Sequence, residues 1–189
     1  MSTYVDSTKC DFWYDGDAFR APANTAAPAD VFASSLSGWE PFGAIKAGFS
    51  LEQPTDTKDF DAWNNRSGAP IYTQVKPPVP LIKFRSAQPR SKAASLTILR
   101  GGSIAETSGG SGIFAWTPGT EEFFALIIRV ISAISGNKQA YLCKNSKLLN
   151  IPNDDMNDDD LAGYDWQIRP NTPTSGLAVQ KYTSVNPLA

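Results

Sequence analysis

The sequence predicts a mainly β domain with a single helix, and three observations carry that prediction. Tyr164, Trp166 and Ile168 alternate with Asp165, Gln167 and Arg169, the period-two pattern of a strand with one buried face. The segment "EEFFALIIRVISAISGNKQAYLCKN" is crowded with β-branched residues, and its Gly136-Asn137 turn leads into a second apolar stretch, which together read as a long hairpin. Helical spacing with matching end signals is read at "PRSKAASLTILRGG", where Pro89 fits a first turn, Ala93, Leu96 and Leu99 or Arg100 keep the spacing, and Gly101-Gly102 ends the element.

With 189 residues, of which 41% are hydrophobic and 19% charged, the chain suffices for one ordinary domain with a real core. In chain order, Ile71, Thr73 and Val75 alternate with Tyr72, Gln74 and Lys76 as a strand, and the β-rich "LIKF" of Leu81 to Phe84 follows across "PPVP". Pro77 to Pro80 has the spacing of a polyproline ligand for SH3-like domains, but its strand-like flanks favour a rigid connector. After the helix, "GGSIAETSGGSGIFAWTPG" carries Gly109, Gly110 and Gly112. A phosphate-binding loop would need Lys-Ser or Lys-Thr after the glycines and a helix behind them, so this segment reads as a mobile linker or assembly loop. In the hairpin, Phe124, Ile127, Ile128 and Ile131 also fit a helical stripe opposite Glu122, Arg129 and Ser132; the β-branched crowding and the turn decide for strands. Apolar residues on both faces then imply a central strand, or one face committed to a partner. "LAVQKYT", from Leu177, is read as the last strand.

Charge is balanced in total, at −2, but segregated in sequence: residues 1–62 carry ten acids against four bases, and residues 63–105 carry seven bases and no acid. Such blocks either form separate faces that meet on a neighbouring copy or are interleaved by folding into an ordinary surface. Cys10 and Cys143 have no metal-like spacing and suit free thiols in a reducing compartment. The first residues lack the basic and apolar regions of a signal peptide, and the apolar run "FFALIIRVI" is far short of the roughly 20 residues needed to cross a bilayer. A soluble intracellular product, with no membrane association, is the expectation.

Chemistry is narrowed mostly by exclusion. The chain has no histidine, which removes Ser-His-Asp and Cys-His catalysis and the usual zinc sites. A carboxylate pair or a lysine nucleophile would remain, but no such site is visible, and the chain is expected not to be an enzyme and to need no cofactor. The stretch "NIPNDDMNDDDLAGYDWQIRP" packs five aspartates into positions 154–160. It lacks the glycine and the terminal glutamate of an EF-hand loop. An irregular calcium site from Asp154, Asp155, Asn157 and Asp159 stands as the alternative to a solvated loop before a buried strand, which is preferred. Trp39, Phe42, Phe60, Trp63 and Trp116 suit stacking on sugars or bases, though large aromatics are more often core or interface residues.

Residues 39–63, "WEPFGAIKAGFSLEQPTDTKDFDAW", resemble the early part of siphophage major tail (tail tube) proteins, with a short Gly-containing strand, a second strand and a polar segment. "PLIKFRSAQPRSKAASLTIL" resembles the strand and single helix of that family, "FFALIIRVISAISGNKQAYLCKNSKLLNI" its long hairpin, and "DDDLAGYDWQIRPN" the acidic lead into its late amphipathic strand. The resemblance covers most of residues 39–185 and rests on element order. It implies a tail-tube-type β-sandwich or barrel over 39–189, with one flanking helix and long loops; residues 1–38, with the Ala- and Pro-rich "APANTAAPAD", are not explained by it and are read as an arm or extension. It further implies a structural virion protein, assembled in the host cytoplasm, whose hexameric rings stack into the tube that conducts DNA. Partners would be further copies of the chain and other tail proteins: tape measure, tail terminator and baseplate initiator. On that resemblance, the loop with Asp56, Lys58, Asp59, Phe60 and Trp63 is expected to make the oligomer interface. The alternative is a β-sandwich module that binds carbohydrate or decorates a capsid.

Overall fold

The computed structural model describes residues 10–61, 68–76, 78–154 and 161–186. Its strands are β1 (Trp13–Pro22), β2 (Glu40–Pro41), β3 (Ile45–Glu52), β4 (Thr57–Phe60), β5 (Tyr72–Val75) and β6 (Leu81–Ser86), followed by the helix α1 (Lys92–Leu99). After the helix come β7 (Ser103–Glu106), β8 (Phe114–Thr117), β9 (Phe123–Ser132), β10 (Lys138–Leu148), β11 (Tyr164–Pro170) and β12 (Gln180–Thr183). The chain is mainly β, with antiparallel sheets and, among the described residues, one helix.

The main sheet runs in the order β2-β1-β9-β10-β11-β6-β3. It divides at β10, which pairs β12 over Gln139–Leu142 and β11 over Ser146–Leu148. The register with β9 slips between those two stretches, from Cys143 to Ser146, and a bulge of this kind bends a strand and sharpens its twist. The two halves thereby close on one core. Ala18, Leu126, Ile128 and Cys143 from one half join Ile82, Phe84, Trp166 and Ile168 from the other, with Phe42 and the helix residues Ala93 and Ala94 filling between them.

The alternation in β11 and β6 has the expected consequence. Trp166 and Ile168 point inward beside Ile82, Phe84 and Ser86, while the facing register pairs Asp165 with Arg85 and Gln167 with Lys83 on the outside. In the core the Trp166 Nε1–H donates to Ser86 Oγ at 2.8 Å, and Phe42 meets the rings of Phe84 and Trp166 edge-on at 5.2 and 5.3 Å, the geometry that aromatic quadrupoles favour.

The strand β9 is central, as its two apolar faces imply. Phe124, Leu126 and Ile128 face the core just described. Ala125 and Ile127 face a second cluster with Phe19, Ala21, Leu36, Trp39 and Leu142. The chain itself therefore covers that second face, and no partner is needed there. Trp13–Pro22, within the segment read as an arm or extension, forms a strand of the main sheet, paired with β9 from Trp13↔Ser132 to Pro22↔Phe124. Trp39 and Phe42 belong to the core rather than to a stacking platform.

One expectation about an element end is corrected. The helix begins after Ser91, whose hydroxyl accepts from the Ala94 amide, rather than at Pro89; a serine N-cap satisfies an amide that a proline first turn would leave free. Its end matches: Arg100 and Gly101 both take left-handed backbone, at φ 50° and 77°, as helix terminations do. The β5 strand forms, but both its faces are exposed, because it pairs only with β4 and away from the core.

Folding also interleaves the charge blocks. Lys76 pairs with Asp56, Lys83 with Glu52, Arg85 with Asp165 and Lys92 with Glu40, so four bases of the 63–105 block are matched to acids of other segments. These exposed pairs contribute little stability individually. Of the two readings the sequence left open, interleaving describes these four bases.

Candidate functional site

Two small hairpins carry exposed apolar side chains. In the first, β4 and β5 pair as Thr57↔Val75, Lys58↔Gln74, Asp59↔Thr73 and Phe60↔Tyr72, and all eight residues are exposed. Alternation puts Phe60, Tyr72 and Lys58 on one face. The Phe60 and Tyr72 rings lie 6.0 Å apart and the Lys58 ammonium sits 5.0 Å over Phe60. Asp59 accepts from the Thr73 hydroxyl at 2.6 Å, and Asp56 pairs with Lys76 at 2.6 Å.

Asp56 and Asp59 therefore help fasten the hairpin to itself, and its exposed apolar side chains include Phe60, 42% exposed, and Tyr72, 62% exposed. Trp63 lies outside the described residues. Sequence reasoning missed Tyr72 as a companion of Phe60; the alternation through Val75 was its signal.

The second hairpin occupies the segment expected as a mobile glycine loop. Its register pairs Ile104 with Trp116 and Glu106 with Phe114 on one face, and Ala105 with Ala115 on the other. Every strand residue is exposed. The base is built by close backbone crossing: a Cβ on Gly102 would lie 2.0 Å from the Thr117 carbonyl oxygen, and one on Gly119 would lie 2.3 Å from that of Arg100. Only glycine fits either position. The Gly119 amide donates to the Leu99 carbonyl, Arg100 donates to the Thr120 carbonyl, and the Gly101 amide reaches Glu122. Gly102 and Gly119 thus seat a hairpin at its base, in a segment that Gly109, Gly110 and Gly112 marked as a mobile loop.

The turn of this hairpin is closed by Glu106, whose carboxylate accepts from the Gly112 amide at 2.7 Å. Backbone amides of Gly112 and Gly110 hold its pKa below the usual glutamate value, since they favour the charged form. A lowered folded pKa stabilises the turn above the ordinary glutamate range, and that contribution is lost as pH falls through the lowered value. The protection of the Gly112 amide, its NMR exchange rate relative to the intrinsic rate at each pH, is expected to fall through that acid window in the native protein and to be low throughout in Glu106→Gln.

A third feature is a cleft of about 1090 Å³ between the first half of β1 and β3. Its walls include Trp13, Tyr14, Gly16, Phe49, Val130 and Tyr141. The register places Gly16 opposite Val130, and a Cβ at Gly16 would meet the Phe49 ring at 2.8 Å and the Arg129 carbonyl at 2.7 Å, so glycine lets Phe49 lean against β1. Across the cleft, β3 bulges between Lys46 and Phe49, where Ala47 and Gly48 are both left-handed at φ 62° and 78°. The rim is tied down by Asp11, which accepts from the Ser135 hydroxyl at 2.6 Å and has its pKa lowered chiefly by that bond. Asp17 pairs with Arg129 at 2.7 Å, and Asp15 accepts from the Gly16 amide at 2.8 Å.

Of the aspartate stretch only Asp154 is described; 155–160 lie outside the described residues. Among the described residues no group of three acids or cysteines is placed to hold a metal. Asp154 and, more strongly, burial raise the pKa of Tyr164. Pro77 of the proline-rich connector also lies outside the described residues. Cys143 is buried at the β10 bulge, and burial pushes its thiol up to about 12; Cys10 is exposed. Maleimide is therefore expected to label Cys10 alone in the native protein, and Cys143 only after unfolding, as read by intact mass.

Comparison with protein-family models and with curated proteins finds no match to this sequence.

Proposed function

We propose that the chain is a self-assembling structural subunit, of the kind that forms the tail tube of long-tailed phages: stacked hexameric rings around a conduit for DNA, acting as a virion component without catalysis. The observation that carries this reading is the pair of fastened hairpins, every strand residue of which is exposed although they display Phe60, Tyr72, Ile104, Phe114 and Trp116. A two-stranded hairpin is marginal by itself in water, and grouped exposed apolar side chains mark contact surfaces. Burial against neighbouring copies would complete both hairpins. Several bases are engaged in ion pairs, including Lys76, Lys83, Arg85, Lys92, Arg129 and Lys147, which suits a wall that DNA passes without being held by its phosphates. The other tail proteins named by the resemblance would bind the ends and lumen of such a tube.

The test compares the native protein with Phe60→Ser/Tyr72→Ser. The variant is expected to keep its circular dichroism and thermal midpoint but to lose about 3 kcal/mol at each contact, weakening association roughly 100-fold in sedimentation over a concentration series. Unchanged association would remove this hairpin from the interface.

A second reading, a β-sandwich that binds carbohydrate or decorates a capsid, draws on Trp13 and Tyr14 at the cleft. Saturable quenching of tryptophan fluorescence by a glycan, in a protein that stays dispersed, would favour it.

A further inference from the structure

We propose that the hairpin formed by β7 and β8 of one copy inserts its Ile104, Phe114 and Trp116 face into the cleft between β1 and β3 of the next copy, giving a head-to-tail contact along the assembly. The inference rests on the self-assembly reading and adds to it the two surfaces that meet.

Position is the first argument. The hairpin is anchored where β9 begins, through Gly101 to Glu122 and Arg100 to Thr120, whereas the cleft is lined by Ile128 and Val130 toward the end of the same strand. Phe123 and Val130 are about 23 Å apart at 3.3 Å per residue. An apolar projection and a recess of mixed polarity with aromatic walls, set apart along one strand, fit a translated copy rather than each other. A contact between two different surfaces of identical chains is heterologous, and it propagates instead of closing as a dimer.

Chemistry is the second argument. Aromatic side chains bury roughly 150–250 Å² each, so the hairpin face offers on the order of 400 Å² to the cleft, whose volume of about 1090 Å³ has room for those side chains. Trp13, Tyr14, Phe49 and Tyr141 present apolar and aromatic surface in return. The nearby carboxylates are already engaged: Glu106 by the Gly112 amide, Asp15 by the Gly16 amide and Asp17 by Arg129. Asp17 is thus paired with a cation, and Glu106 and Asp15 each keep an amide donor, so docking leaves none of these carboxylates without a hydrogen bond.

Complementation between two variants tests this contact. Phe114→Ser/Trp116→Ser removes the projection and leaves the cleft; Tyr14→Glu, at an exposed position, places a charge in the cleft and leaves the projection. Native protein is expected to form long oligomers in analytical ultracentrifugation, and each variant alone to associate about 100-fold more weakly. With Phe60→Ser/Tyr72→Ser added to both to silence the other hairpin, an equimolar mixture of the two is expected to give a dimer that grows no further, since one intact projection meets one intact cleft. If native protein assembles but the mixture stays monomeric, or either variant assembles normally, the contact is wrong while the self-assembly reading stands. If native protein never associates, at any concentration or with a seeding complex, both are wrong.

Discussion

Trp166→Ala is expected to lower the free energy of unfolding by about 4 kcal/mol, the size of a buried large-to-small change, measured by urea denaturation. Trp166 is 1% exposed and touches Phe42, Phe84 and Tyr164, so its removal opens a void between the two halves of the sandwich where rigid rings surround it. Trp166→Phe separates packing from polarity. It retains most of the ring contact but leaves Ser86 Oγ, fully buried, without its donor, at about 1–3 kcal/mol. Adding Ser86→Ala to Trp166→Phe should recover part of that loss. A loss below about 1 kcal/mol for Trp166→Ala would mean that the two halves do not pack through this residue.

Glu122→Ala is expected to cost about 3–5 kcal/mol, because it leaves a buried guanidinium unpaired. Arg20 is 4% exposed. Its Nη2 lies 2.7 Å from Glu122 Oε2 and its guanidinium carbon 5.1 Å over the Phe124 ring. That contact is close but poorly aligned as a hydrogen bond, and Arg20 Nε has no hydrogen-bond partner, so Glu122 is the compensation that keeps the charge tolerable. Arg20→Met with Glu122→Ala should regain much of the loss by replacing the ion pair with apolar packing. Glu122 also receives the Gly101 amide at 3.2 Å, and amide exchange over Ser103–Thr117 should therefore quicken in Glu122→Ala more than in Trp166→Ala. Equal quickening would separate Glu122 from the hairpin base.

The strands that were legible are those with one buried face or strong β-branched crowding. The β11 alternation, the β6 run and the β9–β10 hairpin each follow from side-chain period or turn chemistry alone. The strand β1 was not legible, because "WYDGDAFRAP" buries both faces in its second half, with Ala18 and Arg20 on one and Phe19 and Ala21 on the other, and is interrupted by Asp15, Gly16 and Asp17. A buried arginine made acceptable by an acid 102 positions later leaves no local trace. The β7–β8 hairpin was missed for a related reason: the demand for glycine at 102 and 119 is created by the crossing backbone, which sequence spacing does not display.

Asp56, Lys58, Asp59 and Phe60 were named from the family resemblance, not from a pattern of their own. Their pairing with Lys76, Thr73 and Tyr72 depends on a hairpin that closes across residues outside the description. The cleft was invisible, since it joins residues near 13–17, 45–49 and 128–141 that no pattern links.

Negative-stain electron microscopy of the purified full chain, concentrated and aged, with and without a seeding tail-tip complex, tests self-assembly most directly. Rings or tubes of uniform width, lost together in Phe60→Ser/Tyr72→Ser, are the expected result; dispersed single subunits under every condition would contradict it.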